Sequence, residues 1–187
     1  MSRARPIFLF TDFGYSGPYV GQMTGAILSR SPDGAVINLM HDAPAMRPDL
    51  AAYLLSACCG SLPSGSVVAA VVDPGVGGER AALVVETPDL TLVGPDNGLL
   101  SRVHGIEAVA RVDWRPETLS CSFHGRDLFG PVATMLAGGD AVPFTPLAHA
   151  DMVGADWPSD LEQLVYIDGY GNLMTGIRAE NFNKNRS

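Results

Sequence analysis

The sequence predicts an α/β protein: a mostly parallel sheet sandwiched by helices, followed by a strand pair that is either an appendage to it or the start of an incomplete small β domain. Three observations lead there. Apolar runs of strand length alternate with helical periodicities up to Val72. Each of the first three strands empties into a loop that carries a carboxylate. After Arg80 the alternation gives way to short strands joined by turns, and the last two are too few to form a domain of their own.

Taken in order, Ile7–Thr11 is a continuous apolar run and reads as a buried strand, followed by a glycine-marked loop over 12–17. Pro18 opens a helix over 18–30, with Val20, Met23 and Ile27 on one face. A second strand covers 35–40 and a loop 41–46. Pro48–Cys59 forms a second helix that points Leu50, Leu54, Leu55 and Cys58 inward, and 66–72 is the third strand, stopped by Asp73. Short strands follow over 81–86 and 90–93 around a Pro88-Asp89 turn. The turn Pro95-Asp96-Asn97-Gly98 leads into a short helix over 99–104, and 106–112 is a further strand. Residues 125–137 are helical, interrupted at Pro131. Residues 141–159 are rich in Pro, Ala and Asp and read as a linker, before a strand pair over 161–168 and 172–177. The expected division is an amino-terminal α/β domain over 1–145, a linker over 146–160, and over 161–187 either an appendage to that domain or the beginning of an incomplete carboxy-terminal β domain.

Composition narrows the partners. The net charge is -8 and Lys184 is the single lysine, so a nucleic-acid polymer is not expected. No apolar run approaches the length of a membrane span, and Met1 to Phe10 lacks the layout of a signal peptide, so the default location is cytoplasmic. Cys58, Cys59 and Cys121 have no C-x-x-C spacing and read as reduced, buried thiols.

In α/β sheets ligands bind at the carboxyl ends of strands. The segments there are Thr11-Asp12-Phe13-Gly14, His41-Asp42 and Asp73-Pro74-Gly75. Asp12 can cap the next helix, or its carboxylate can accept hydrogen bonds from a sugar diol. D-F-G alone is not a kinase signature, because no glycine-rich loop, strand lysine or H-R-D segment precedes it. The segment 73–80, with Asp73, three glycines and Arg80, is either a turn closed by an ion pair or a functional loop. His124 is either an ordinary loop histidine or part of a site, and Asp127 can serve the first turn of its helix. Asp12, His41, Asp73 and His124 together could hold a metal, although no H-x-x-x-H or H-E-x-x-H spacing occurs. No G-x-S-x-G is present, which speaks against a serine hydrolase.

These segments, with Tyr19-Val20-Gly21, Gly94-Pro95-Asp96-Asn97-Gly98-Leu99, Phe123-His124-Gly125-Arg126-Asp127 and 168–172, resemble in their order the S-adenosyl-L-methionine hydroxide adenosyltransferase family, related to the fluorinating and chlorinating enzymes. The resemblance implies hydrolysis of S-adenosyl-L-methionine to adenosine and L-methionine by water attacking the ribose 5′ carbon. It implies a homotrimer with ligand between subunits, and no cofactor. It places water activation on Asp73, Arg80 and His124, ribose binding on Asp12, and the methionine end on Asp168, Tyr170 and Asn172. Gly125 stands where halogenating relatives carry a small hydroxyl residue, which favours water as nucleophile. Tyr170 replaces a usual phenylalanine and Gly176 a usual asparagine. Family members continue through a whole carboxy-terminal β domain, which implies that this chain is truncated. A non-catalytic nucleoside-binding protein and a metal-dependent hydrolase are the alternatives.

The chemistry suits these residues. A sulfonium leaves readily, whereas bulk water, with a pKa of about 15.7, attacks carbon poorly. Orienting it in line with the carbon–sulfur bond can supply on the order of 7 kcal/mol. Arg80 would stabilise hydroxide character, and Asp73 or His124 would orient the water or take its proton.

Overall fold

A computed structural model describes residues 4–182. Its centre is a seven-stranded sheet with strand order β2-β1-β3-β5-β4-β6-β7. The strands are β1 (Ile7–Thr11), β2 (Val36–Met40), β3 (Ser66–Val71), β4 (Ala82–Glu86), β5 (Leu90–Pro95), β6 (Ala108–Val112) and β7 (Phe144–Leu147). The first four in that order run parallel, and β4, β6 and β7 complete the sheet as antiparallel neighbours.

β1 and β3 are buried along their whole length because both faces are covered. Alternate residues divide between two cores. Ile7, Leu9, Val67 and Ala69 face α1 (Tyr19–Arg30) and α3 (Gly130–Gly138), meeting Met23, Ile27, Phe129 and Val132. Phe8, Phe10, Val68 and Ala70 face α2 (Pro48–Cys59), meeting Leu54 and Leu55. Period-two alternation with apolar residues on both sides is what a doubly covered parallel strand requires. β2 is the edge strand, and Ile37 and Asn38 are exposed there.

Several local expectations change. Residues 99–104 form turns rather than a helix, and β5 runs on to Pro95 because Asp96 still bonds back to Ala81 (2.9 Å). Helicity from Gly125 begins as a π-helical turn, Gly125–Phe129, and becomes α-helical at Gly130, with Pro131 in the first turn, where its missing N–H costs nothing. Residues 141–159, read as a linker from their composition, are built into the fold. β7 pairs with β6, Met152 is buried, and the Arg102 guanidinium donates to the carbonyls of Gly154 (2.9 Å), Ala155 (3.1 Å) and Trp157. Cys121 is exposed rather than buried, and Cys58 is half-buried. Only Cys59 lies in the core, where burial pushes its thiol up to about 12.

β8 (Leu161–Ile167) and β9 (Leu173–Gly176) pair only with each other, and α4 (Ala179–Phe182) follows them. This hairpin folds back on α2 by burying Val165 against Leu50 and Tyr53. Leu164, Ile167, Leu173 and Met174 stay exposed. The expected tail from Asn183 onward, with Lys184, lies outside the described residues, as do Met1 to Arg3.

Candidate active site

β1 ends at Thr11 opposite Val71 of β3, so Asp12 and Asp73 leave the same edge of the sheet side by side. Asn97, in the loop after β5, ties this edge together by donating from Nδ2 to the Val72 carbonyl (2.9 Å).

Asp73 and Arg80 close the loop between β3 and β4. Arg80 Nε donates to both Asp73 oxygens (2.8 Å each), and Nη2 donates to Oδ2 as well. Both side chains are deep, with 4% of the Asp73 and 11% of the Arg80 side chain exposed. The turn and the functional loop weighed from sequence are therefore one structure. Gly77 makes the loop feasible: its φ is +82°, and a Cβ there would run into the Cys121 carbonyl. That approach brings the loop against residues 120–124.

His124 meets the pair from the other side, with Arg80 Nη2 2.9 Å from His124 Nδ1. A guanidinium can only donate, so Nδ1 accepts and the imidazole proton sits on Nε2. Burial, and next the Arg80 charge, hold the imidazole below its ordinary pKa and keep it neutral. The Arg80 guanidinium lies 5.3 Å over the Phe129 ring, and its Nη1 has no partner among the described residues. The result is one carboxylate, one guanidinium and one neutral imidazole in a continuous network. Both carboxylate oxygens are occupied, and three N–H groups, two on Arg80 Nη1 and one on His124 Nε2, remain to be offered.

Gly125 follows directly. A Cβ there would stand 2.9 Å from Phe13 and 3.2 Å from Phe123, so the aromatic rings occupy the space a larger residue would need. Phe123 packs edge to face with Phe13 and Tyr19 at 5.7 and 5.3 Å between centroids, Phe13 and Tyr19 lie tilted at 6.0 Å, and the three form an apolar wall beside His124. Asp127 binds the Ser120 N–H (3.0 Å) and Arg126 (2.5 Å), which secures the loop before the π-turn.

Asp12 is half-buried and accepts the Met46 N–H (2.9 Å). Burial is the main reason its pKa is raised, and the neighbouring Asp73 charge adds to it. Beside it, Thr11 Oγ1 is 2.8 Å from His41 Nδ1 in the core, and Gly14 N–H donates to the His41 carbonyl (2.6 Å). The Thr11–His41 pair was not visible as a unit in the sequence; the signal was a hydroxyl and an imidazole, each at a strand end. Among the described residues, no group of three or more His, Cys, Asp or Glu side chains gathers to hold a metal ion.

Asp168, Tyr170 and Asn172 lie elsewhere, at the β8–β9 turn. Asp168 Oδ1 accepts the Tyr170 and Asn172 N–H groups (2.9 and 2.8 Å), and Oδ2 accepts Asn172 Nδ2 (2.7 Å). These bonds, led by the Asn172 side chain, hold the carboxyl below its usual pKa. Tyr170 is 95% exposed, and no hydrogen bond joins this turn to Asp73, Arg80 or His124.

A family model described as the SAM hydroxide adenosyltransferase N-terminal domain matches residues 7–144. The chain is 34% identical over 195 residues to an (R)-S-adenosyl-L-methionine hydrolase of Thermus thermophilus, covering 92% of this chain and 74% of that protein. It is likewise 34% identical over 182 residues to one of Methanocaldococcus jannaschii, covering 93% and 67%. A solved structure of an uncharacterized conserved protein from Thermotoga maritima has a TM-score of 0.86 at 28% identity, covering 97% of this chain and 75% of that one. The solved structure of a conserved hypothetical protein from Thermus thermophilus has a TM-score of 0.70 at 30% identity, covering 92% and 72%.

Proposed function

Given that this chain belongs to the SAM hydroxide adenosyltransferase family, we propose that it hydrolyses S-adenosyl-L-methionine to adenosine and L-methionine, with the water held at Asp73, Arg80 and His124. The observation that carries this assignment of the water is the buried bridge from Asp73 through Arg80 to the neutral His124. Arg80 Nη1–H and His124 Nε2–H share one lone pair of the water oxygen, which leaves the other free to attack the 5′ carbon. The carbon–oxygen bond forms as the carbon–sulfur bond breaks, and the sulfur leaves as the neutral thioether of methionine. The emerging proton passes to Asp73, the one anion of the three, whose Oδ1 accepts from Arg80 Nε alone and retains a second lone pair. The guanidinium stabilises developing hydroxide charge in a site that bulk water reaches poorly.

Asp12, close to this cluster at the same sheet edge, accepts from the ribose hydroxyls. Asp168 and Asn172 hold the ammonium and carboxylate of the methionine end, with Tyr170 beside them. The packing of Phe13 against Gly125 supports water as the nucleophile, because it leaves no room for a side chain that would line a halide pocket. The reaction needs no cofactor, since the sulfonium is itself the activated group. The exposed Ile167, Tyr170 and Leu173 support a homotrimer in which the turn at Asp168 faces a neighbouring subunit's strand-end loops. No helix among the described residues is long and apolar enough to cross a membrane.

Chromatography after incubation with S-adenosyl-L-methionine tests the reaction. Adenosine and methionine in equal amounts are expected, with oxygen from isotopically labelled water in the adenosine 5′ hydroxyl. Label absent from adenosine would overturn attack at the 5′ carbon.

A further inference from the structure

The turn that carries Asp168 sits on a hairpin with no other strand beside it. Two strands alone are marginal, so side-chain docking must set where that turn stands. Val165 supplies the apolar part of this docking, against Leu50 and Tyr53, and Tyr53 Oη donates to the Pro158 carbonyl (2.7 Å). The contact nearest the turn is polar. Tyr166 Oη donates to Asp42 Oδ2 at 2.8 Å, and Tyr166 stands two residues before Asp168.

Asp42 is in turn locked to the loop that carries Asp12. On one side of it the His41 carbonyl accepts the Gly14 N–H (2.6 Å), and His41 Nδ1 meets Thr11 Oγ1 (2.8 Å). On the other side the Ala43 N–H donates to the Thr11 carbonyl (3.2 Å). The Tyr15 ring packs edge-on to His41 at 5.4 Å. A short bonded path thus runs from the Asp12 loop through residues 41–43 to Tyr166 and the Asp168 turn. In the homotrimer proposed above, the Asp168 turn meets a substrate held by a neighbouring subunit's Asp12 loop, so the path that ties the turn to its own subunit also sets where it stands at that neighbour.

We propose that the Tyr166–Asp42 hydrogen bond is a clasp that fixes the Asp168 turn to the strand-end loops of its own subunit, making Tyr166 a positioning residue for the amino-acid end of a substrate shared with the neighbouring subunit. The proposal rests on the assignment of Asp168 and Asn172 to that end. The hydroxyl does not touch the ligand. Its strong partner is an anion, which also helps push the phenol up to about 12, so the clasp persists across the neutral range.

The probe is S-adenosyl-L-homocysteine, which keeps the amino-acid end but, as a thioether, offers no leaving group. Calorimetry compares its affinity with that of adenosine, in the full chain and in Tyr166→Phe, which retains the ring that packs beside Tyr53. In the parent chain the amino-acid end tightens binding. In Tyr166→Phe that gain shrinks about 5–10-fold, the order expected for one hydrogen bond to a charged acceptor, while adenosine binds as before. Asp168→Ala abolishes the gain. If Tyr166→Phe keeps the whole gain while Asp168→Ala loses it, the clasp is overturned and the assignment of the turn stands. If the parent chain shows no gain, or Asp168→Ala keeps it, both fall. Equal weakening of adenosine and the homocysteine analogue in Tyr166→Phe reduces Tyr166 to a structural residue and also overturns the clasp.

Discussion

Arg80→Ala removes the group on which the other two depend. Asp73, with 4% of its side chain exposed, loses its bonds to Nε and Nη2, and His124 Nδ1 loses its donor. Deleting one partner of a buried ion pair costs about 3–5 kcal/mol, because the remaining charge stays desolvated. The lower end applies here, since 11% of the Arg80 side chain meets solvent and water can enter the vacated space. A domain with about 5–15 kcal/mol of stability survives that loss largely folded at room temperature. Turnover should fall further than folding does. Withdrawing one preorganised donor from developing negative charge lowers the rate by about 100–1,000-fold. Arg80→Lys separates charge from shape: the ammonium keeps the cation but cannot fork between Asp73 and His124, and about a tenfold loss is expected. The assay is adenosine release at saturating S-adenosyl-L-methionine, at a temperature where circular dichroism shows each variant folded. Activity within threefold of the parent in folded Arg80→Ala would refute the assignment of the water to this cluster.

Asp12→Ala should weaken adenosine binding about tenfold or more in calorimetry, while turnover at saturation changes less, because its carboxylate can accept two hydroxyl bonds of roughly 1.5–3 kcal/mol each. Equal affinity would remove the ribose contact. Protonated His124 would present a second N–H to Arg80, so the active form is the neutral one. Its folded pKa is depressed, so activity should persist below the ordinary value of about 6.5 and fall only at more acid pH. The same depression makes His124 contribute to stability above its unfolded pKa, and that contribution is lost as pH falls from about 6.5 through the folded value. A pH–rate profile whose acid limb is unchanged in His124→Asn would contradict this. Gly77→Ala should cost about 1–3 kcal/mol from its positive φ alone, plus the clash with Cys121, and lower turnover by displacing Arg80 from His124. Thermal melts and kcat measured together check both parts.

The strand-length apolar runs at residues 7–11 and 66–71 and the helical stripe of Met23 and Ile27 were legible because burial imposes a period on the chain, and period is a local property. The carboxylates after β1, β2 and β3 were legible for the same reason: a strand that ends in a polar residue marks a sheet edge. Residues 141–159 were misread because β7 is a four-residue edge strand, largely exposed and containing Pro146. Its pairing comes from the free edge of β6 rather than from any pattern of its own.

By itself the sequence determined the α/β core, the loops that carry Asp12, Asp73 and Arg80, and the glycines that let those loops turn. Only the tertiary structure decided that β5 lies between β3 and β4, that Arg80 bridges to His124 44 positions away and sets its proton on Nε2, and that burial, with the Arg80 charge, holds the histidine neutral. It also decided that Tyr166 reaches Asp42 across 124 positions, while the turn at Asp168 stays outside the buried cluster. Apolar periodicity states which face of an element must be covered, but it is blind to which distant element covers it. That choice, and every protonation state that depends on it, is made by packing.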